Sequence, residues 1–275
     1  MADAETLDSL ARLIDIMARL RAPGGCPWDR EQTPESLRPY LVEEAYEVLD
    51  AIDRGDLDAQ RDELGDVLLQ VVFHAEIAAE RGQFRLADIA RAIADKLVRR
   101  HPHVFADTRV RDSDEVVRNW QRIKAEERRA AGRDTAGGAL ASVPTALPAL
   151  ARAQQVGEKL AHVGFDWPDL AAVLAKVDEE RRELDQAVRS GDRDGAQREL
   201  GDLLLTLASV ARHLDVQAEM ALRDATARLV ARVGHVEAAA RASGRALDGL
   251  DDAERDRLWD AAKDAARQGR TPRQV

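Results

Sequence analysis

The sequence predicts an all-α protein built from two tandem helical-bundle units. Apolar residues recur at helical spacing along most of the chain, and no stretch shows a convincing alternation of strands. Hydrophobic residues make up 45% of the chain and aromatic residues only 4%, a profile typical of helical proteins with aliphatic cores. A block of acidic residues occurs twice at a constant offset of 136 residues, which indicates an internal duplication.

Each copy of the repeated block reads Glu-Glu-x-x-Glu and then, 20 residues after its first glutamate, Glu-Leu-Gly-Asp. The block occupies residues 43–47 and 63–66 in the first copy, and residues 179–183 and 199–202 in the second. A chain of 275 residues has room for two modest domains, which agrees with a duplication. We expect a first unit at 1–125, a charged and Gly-containing linker at 126–139, and a second unit at 140–275.

The first unit is predicted to contain a series of helices interrupted by Gly and Pro. An amphipathic helix at 6–21 precedes a Pro- and Gly-rich loop at 23–29, because apolar residues follow helical spacing up to that loop. The acidic helix ends near Asp53, and its start is uncertain because Pro39 lies close to it. The helices that follow are expected at about 58–81, at about 86–100, and around Trp120 and Lys124.

The second unit repeats this order. Its entry segment contains Pro144 and Pro148, and a helix through His162 precedes a turn at 163–168. Asp169 is a good cap for the second acidic helix. Helices are expected at about 169–189, 194–213, 217–241 and 251–268, with a frayed tail from Gly269.

Helical geometry predicts what the acidic blocks can do. At about 100° per residue, Glu43, Glu44 and Glu47 fall on one side of a helix, which by itself is equally well explained as a solvated face. The next helix is apolar nearly all round, which predicts that it is buried. Its only polar stripe contains Glu63, Asp66 and a glutamine, and the later helix carries Glu199 and Asp202 in the same places.

Carboxylates on a buried helix need a compensating partner, and two facing acidic stripes repel each other. A divalent cation relieves that repulsion, and clustered carboxylate oxygens suit Mg²⁺, or Mn²⁺ in its place, rather than zinc. The candidate ligands form one set in each unit. They are Glu44, Glu47, Glu63 and Asp66 in the first, and Glu180, Glu183, Glu199 and Asp202 in the second.

Other features argue against several classes of protein. A formal net charge of −10 disfavours a general polynucleotide binder. The chain has no Gly-x-Gly-x-x-Gly or Walker-type loop, and neither acidic block has the Glu-x-x-His of di-iron bundles. No apolar run is long enough to predict a membrane span. The single cysteine, Cys26, and an N-terminus without a signal-peptide pattern lead us to expect a cytoplasmic protein.

Nearly the whole chain resembles the MazG family of nucleoside triphosphate pyrophosphohydrolases, within the all-α NTP pyrophosphatase superfamily. The acidic blocks alone would indicate only the superfamily. The flanking segments that carry the more specific resemblance are Gly25-Cys26-Pro27-Trp28-Asp29, Arg100-His101-Pro102-His103-Val104-Phe105 and Val163-Gly164-Phe165-Asp166-Trp167.

The resemblance implies tandem MazG-type helical domains completed by homodimerisation, dependence on Mg²⁺, and hydrolysis of (d)NTPs to the monophosphate and pyrophosphate in nucleotide-pool housecleaning. It implies that Glu180, Glu183, Glu199 and Asp202 bind metal, with Glu179 adjacent as a candidate proton acceptor. The implied substrate-binding positions are Lys176, Arg228, Arg232, Trp259 and Lys263.

The second copy departs from the family at one position, where a lysine falls here on Gly195; Arg193 or Arg198 could take its place, or the affinity for phosphate is lower. The two copies also differ from each other, because Tyr40 stands where the second copy has Lys176. We therefore expect residues 140–275 to be the catalytic unit and the first unit to be weaker, regulatory or structural. The alternatives are a catalytically silent helical protein that senses nucleotide or metal, and a narrower phosphohydrolase for dUTP, dCTP or phosphoribosyl-ATP.

Overall fold

A computed structural model of the protein describes residues 3–130, 138 and 140–268. Within these residues every regular element is a helix, which confirms the predicted all-α class. The chain divides into two compact units, Met1–Arg128 and Arg129–Val275, and each unit is described by itself. No helix among the described residues has the length and apolar character needed to cross a membrane.

The first unit places its helices close to the predicted positions. They are α1 (Ala4–Arg21), α2 (Pro27–Glu31), α3 (Arg38–Arg54), α4 (Leu57–Glu80), α5 (Leu86–Arg100), α6 (Pro102–Phe105) and α7 (Ser113–Ala130). Pro39 lies in the first turn of α3, where its missing N–H costs no hydrogen bond. Because α7 continues to Ala130, residues 126–130 of the predicted linker are helical, and 131–137 and 139 lie outside the described residues.

The second unit repeats the central part of this order. Its helices are α8 (Ala149–His162), α9 (Leu170–Ser190), α10 (Arg193–His213), α11 (Ala218–Ala242), a short 3-10 helix (Leu247–Gly249) and α12 (Asp252–Gln268). Asp169 caps α9 as predicted, since its carboxylate accepts from the Ala172 N–H at 2.9 Å. The tail predicted to fray from Gly269 lies outside the described residues.

The turns that follow the two acidic helices are built alike. Gly55 ends α3 with φ of 67° and Gly191 ends α9 with φ of 72°, a left-handed conformation that glycine adopts without a steric penalty. Asp56 and Asp192 then cap the next helices through hydrogen bonds of 3.1 and 2.9 Å. Because the two turns are alike, α4 runs back along α3 and α10 runs back along α9. In each pair, the faces that carry the carboxylates come together.

The prediction that the second helix of each pair is buried all round is wrong within one chain. In the first unit the core contains Met17, Leu37, Val72, Phe73 and Ile77. An apolar stripe on the same α4 helix stays exposed, with Leu64 at 50% and Leu68 at 37%. The matching stripe on α10 is also exposed at Leu200, Leu204 and Leu207. A single chain supplies too few partners to cover both sides of these helices.

Candidate metal and nucleotide site

The helix pair α9 and α10 forms a cluster of carboxylates around Glu180. Glu180, Glu199 and Asp202 can each offer one oxygen atom such that all three oxygens lie within 4.8 Å of one another. Glu179, Glu180 and Glu183 satisfy the same condition. Glu180 belongs to both groups, and its side chain is only 5% exposed. The structure thus brings together all five acidic residues predicted for the second unit, as two overlapping groups of three.

The cluster in the second unit carries unfavourable charge. Partial burial and the neighbouring carboxylates of Glu183, Glu180 and Asp202 raise the pKa of Glu199. Desolvation and like charge both favour the protonated form of a carboxylic acid, so the ionised cluster is under electrostatic repulsion. A divalent cation held by these oxygens would remove that repulsion.

Lys176 already supplies part of the compensation. Its Nζ atom lies 2.7 Å from Glu179 Oε1 and 2.6 Å from Glu180 Oε1. These contacts raise the pKa of Lys176, and the same ion pair lowers the pKa of Glu179. Lys176, predicted to bind substrate phosphate, therefore lies in the acidic cluster, and its ammonium neutralises the most deeply buried carboxylate.

The first unit contains a related cluster without this lysine. Glu44, Glu47 and Glu63 can place three oxygens within 4.8 Å of one another. Asp66 is not in that trio, yet it helps to raise the pKa of Glu44, after desolvation, and also that of Glu63. The position equivalent to Lys176 is occupied by Tyr40, whose side chain is uncharged.

The predicted substrate-binding residues of α11 and α12 form a second group. The Arg232 guanidinium carbon lies 5.7 Å, and Lys263 Nζ 5.9 Å, from the centre of the Trp259 ring. Trp259 also packs against the apolar cluster around Val236. Arg228 is exposed one turn before Arg232 on α11. Among the described side chains, no hydrogen bond or ion pair joins this group to the carboxylates.

Several contacts near the two sites were not predicted from the sequence. Trp28 and Tyr40 meet edge to face with ring centres 6.0 Å apart. The Trp120 ring lies 5.8 Å from the guanidinium carbon of Arg100 and 5.0 Å from Lys124 Nζ, much as Trp259 is flanked in the second unit. The four-residue spacing of Trp and Lys in both units was the sequence signal that could have suggested the second of these contacts.

A further unpredicted contact anchors the turn at 163–168. Asp166 accepts a hydrogen bond from Arg212 near the end of α10, and His213 Nε2 lies 3.6 Å from the same carboxylate oxygen. Burial alone would raise the pKa of Asp166, but hydrogen bonds from Arg212 and from the Trp167 N–H outweigh it and lower the pKa.

The donor atoms of both acidic clusters fit a hard divalent cation. They are carboxylate oxygens only, without the sulfur or imidazole ligands that favour zinc. Desolvation and neighbouring carboxylates raise the pKa values of Glu44, Glu63 and Glu199, so a bound cation would favour their ionised forms. The residues that are present therefore fit Mg²⁺ or Mn²⁺.

Comparison with known proteins agrees with this geometry. A family model described as the MazG nucleotide pyrophosphohydrolase domain matches residues 32–105 and 169–237, which contain the two acidic helix pairs. A nucleoside triphosphate pyrophosphohydrolase from Escherichia coli (strain K12) is 46% identical over 260 residues, covering 94% of this chain and 98% of its own.

Two further similarities concern proteins of Thermotoga maritima. Its nucleoside triphosphate pyrophosphohydrolase/pyrophosphatase MazG is 43% identical over 251 residues, covering 91% of this chain and 94% of its own. The crystal structure of a mazG-related protein aligns with 42% of this chain and 98% of its own, at 28% identity and a TM-score of 0.37. From the family match and the near full-length relatives, we conclude that this chain belongs to the MazG nucleotide pyrophosphohydrolase family.

Proposed function

We propose that this protein hydrolyses nucleoside and deoxynucleoside triphosphates to the monophosphate and pyrophosphate, with Mg²⁺, or Mn²⁺ in its place, held in the second unit. The observation that carries the proposal is the convergence of Glu180, Glu199 and Asp202 oxygens within 4.8 Å on two adjacent helices. The relatives named nucleoside triphosphate pyrophosphohydrolase support the reaction. A role in clearing the nucleotide pool is the use that we propose for this reaction. The net charge of −10 favours a small substrate over a polynucleotide.

The residues of the second unit have two proposed roles, which are metal binding and proton transfer. Glu180, Glu183, Glu199 and Asp202 would hold the cation. When bound, it supplies Lewis-acid stabilisation of phosphate oxygens and lowers the pKa of a coordinated water. Glu179 remains the candidate that accepts the proton of the attacking water. While Lys176 is bound to Glu179, the lowered pKa makes that carboxylate a weaker base.

Cationic side chains compensate the polyphosphate. Lys176 can exchange its contacts with Glu179 and Glu180 for phosphate oxygens once a cation neutralises those carboxylates. Arg228, exposed on α11, and the Arg232 and Lys263 cations beside Trp259 are proposed to neutralise the remaining phosphate charge. The Trp259 ring is proposed to stack on the base.

Pyrophosphate release from a panel of NTPs and dNTPs with Mg²⁺ tests the reaction. The purified chain is expected to release pyrophosphate from most nucleotides of the panel. Release at background level from every nucleotide would contradict the proposed activity. The same result together with tight nucleotide binding would identify the silent, nucleotide-sensing alternative.

A matched pair of variants tests the assignment to the second unit. Glu183→Ala is expected to abolish turnover, whereas the equivalent substitution Glu47→Ala is expected to leave most of it. We make this assignment because Lys176 is present only in the second copy. Equal loss of pyrophosphate release in both variants would contradict it.

We also propose that two copies of the chain associate through the exposed apolar stripes of α4 and α10. Leu64 and Leu68 occupy the same places in the first copy as Leu200 and Leu204 in the second. All four leucines are between 37% and 50% exposed. These stripes lie on a different side of each helix from the carboxylates, so association would cover apolar surface without closing the acidic sites. Location in the cytoplasm remains a prediction from the sequence.

A further inference from the structure

Gln70 is an unusual residue of the first unit because it is buried and incompletely bonded. It is 5% exposed, and its side-chain Oε1 atom has no hydrogen-bond partner among the described residues. A buried polar atom without a partner costs free energy, so such an atom in a folded protein calls for a ligand or a water molecule. The corresponding residue of the second unit, Thr206, instead donates to the Asp202 carbonyl of its own helix at 2.8 Å.

The helix geometry places Gln70 beside the acidic cluster. At about 100° per residue, Gln70 projects between Glu63 and Asp66 and lies one turn beyond Asp66 on α4. On α3, Tyr40 likewise projects between Glu44 and Glu47, one turn before Glu44. Gln70 and Tyr40 thus extend the two carboxylate stripes by one turn at the same end.

Two contacts between α3 and α4 define the register of the two helices. Glu47 meets Glu63 in the acidic trio, and Leu37 and Phe73 share the core cluster. Both pairs fit one antiparallel register, in which Tyr40 lies opposite Gln70.

Aromatic surface completes this end of the first unit. Trp28 is 50% exposed and Tyr40 38% exposed, and their rings lie edge to face with centres 6.0 Å apart. Bases stack on exposed aromatic rings whatever their identity, whereas a side-chain amide donates to and accepts from a base edge and so distinguishes bases. Tyr40 and Gln70 therefore each lie about one turn of helix from the acidic cluster, and Trp28 packs against Tyr40.

We infer that the first unit is a base-selective binding site for a nucleoside triphosphate, with its phosphates held through a divalent cation at the Glu44, Glu47 and Glu63 cluster, its base at Trp28 and Tyr40, and Gln70 reading the base edge. The inference rests on the proposed function only for the class of ligand. The second unit has Thr206 at this position, and Thr206 bonds within its own helix, so the amide that would read a base edge is specific to the first unit. Binding there adds a nucleotide to the chain beyond the one that is turned over.

Calorimetry of the full chain with Mg²⁺ and the α,β-methylene analogues of ATP, GTP, CTP and UTP tests the inference, because these analogues bind without hydrolysis. Two binding events per chain are expected, one of which Glu47→Ala removes. In Gln70→Leu, the ratio between the dissociation constants of the weakest and the tightest base at that event is expected to fall about tenfold. The reason is that the variant loses one hydrogen bond of ordinary strength. Trp28→Leu weakens binding of all four bases alike, by about tenfold or more.

Gln83→Leu, at an exposed glutamine just after α4, is the matched control and keeps the base preference of the wild type. A single binding event in the wild-type chain, or an unchanged base preference in Gln70→Leu, would overturn the site. The melting temperature of Gln70→Leu should not fall, because the variant removes an unpartnered acceptor. A lower melting temperature together with the loss of both nucleotide-binding events would show instead that Gln70 stabilises the core. Pyrophosphate release by the wild type is measured separately. The experiments can therefore contradict the proposed function without contradicting the binding site, or contradict the binding site alone.

Discussion

At the scale of single residues, the acidic clusters trade stability for ligand binding. Glu180 is nearly buried and is neutralised by Lys176, whereas Glu199 is exposed to the repulsion of three neighbouring carboxylates. Charges of one sign within a few ångströms oppose folding unless an ion or a substrate joins them. Substitutions in this cluster should therefore affect activity and the stability of the metal-free chain in opposite directions.

Glu199→Gln is expected to reduce turnover by at least about tenfold, because it removes a ligand oxygen, while raising the melting temperature of the metal-free chain at neutral pH. The raised pKa means that the contribution of Glu199 to stability is present in acid and is lost as pH rises through that pKa. The gain in the variant should thus vanish below about pH 4.5, the ordinary value for glutamate. Thermal melts across pH measure it, and a lower melting temperature at neutral pH would contradict it.

Lys176→Met is expected to make the chain more dependent on metal. The substitution keeps the apolar stem but leaves the buried Glu180 carboxylate without its ion pair, so Mg²⁺ has more repulsion to relieve. The rise in melting temperature on adding Mg²⁺ should be larger in this variant than in the wild type. Lys96→Met, at an exposed lysine of α5, is the control. An equal or smaller rise in Lys176→Met would show that the lysine does not compete with the ion.

At the scale of elements, arginine–carboxylate pairs fasten the loop after the first helix of each unit. In the first unit Arg21 on α1 binds Glu80 on α4 at 2.7 Å and also donates to the Asp29 carbonyl of α2. In the second unit, Arg212 on α10 instead binds Asp166, which lies in the turn after α8. The same connection is thus made by an arginine from a different helix.

Asp166→Asn is expected to destabilise the chain by about 1–3 kcal/mol at neutral pH, because Arg212 then lacks its carboxylate. The lowered pKa of Asp166 means that its contribution is present above the ordinary value of 3.8 and is lost as pH falls through the folded-state value. The deficit should shrink in acid. Urea unfolding at several pH values measures it, with Asp185→Asn, in an exposed pair, as the control. A deficit independent of pH would exclude the ion pair as the cause.

The sequence predicted the helices far better than the contacts between them. Helical spacing and a repeated Gly-Asp turn predict the pairing of α3 with α4 and of α9 with α10, because both signals depend on residues that are neighbours in the sequence. The placement of Lys176 in the cluster and the exchange of Arg21 for Arg212 depend on side chains from separate helices. Sequence spacing specifies the face of a helix but not the residue that it meets. The exposed stripes of α4 and α10 were missed for a related reason, since apolar character does not say which chain covers it.

At the scale of the whole molecule, the proposed association of two chains depends on the exposed apolar stripes. Leu204→Glu, in the stripe of α10, is expected to convert a dimer to a monomer, because a charge placed in an apolar contact must be desolvated without a partner. Sedimentation equilibrium measures the mass. Val188→Glu, at a position 63% exposed on α9 and away from the stripe, should leave the mass unchanged. A wild-type chain that sediments as a monomer would exclude the association.

The exchange of Tyr40 for Lys176 makes the two halves respond differently to ion supply. Lys176 gives the second half a built-in counter-charge, which offsets part of the repulsion among its carboxylates. Tyr40 gives the first half no such charge beside Glu44 and Glu63. When divalent cations are removed, we therefore expect the first half to lose more stability than the second. A single difference between the two copies of a duplicated segment would thus make their stability depend on a bound cation to different degrees.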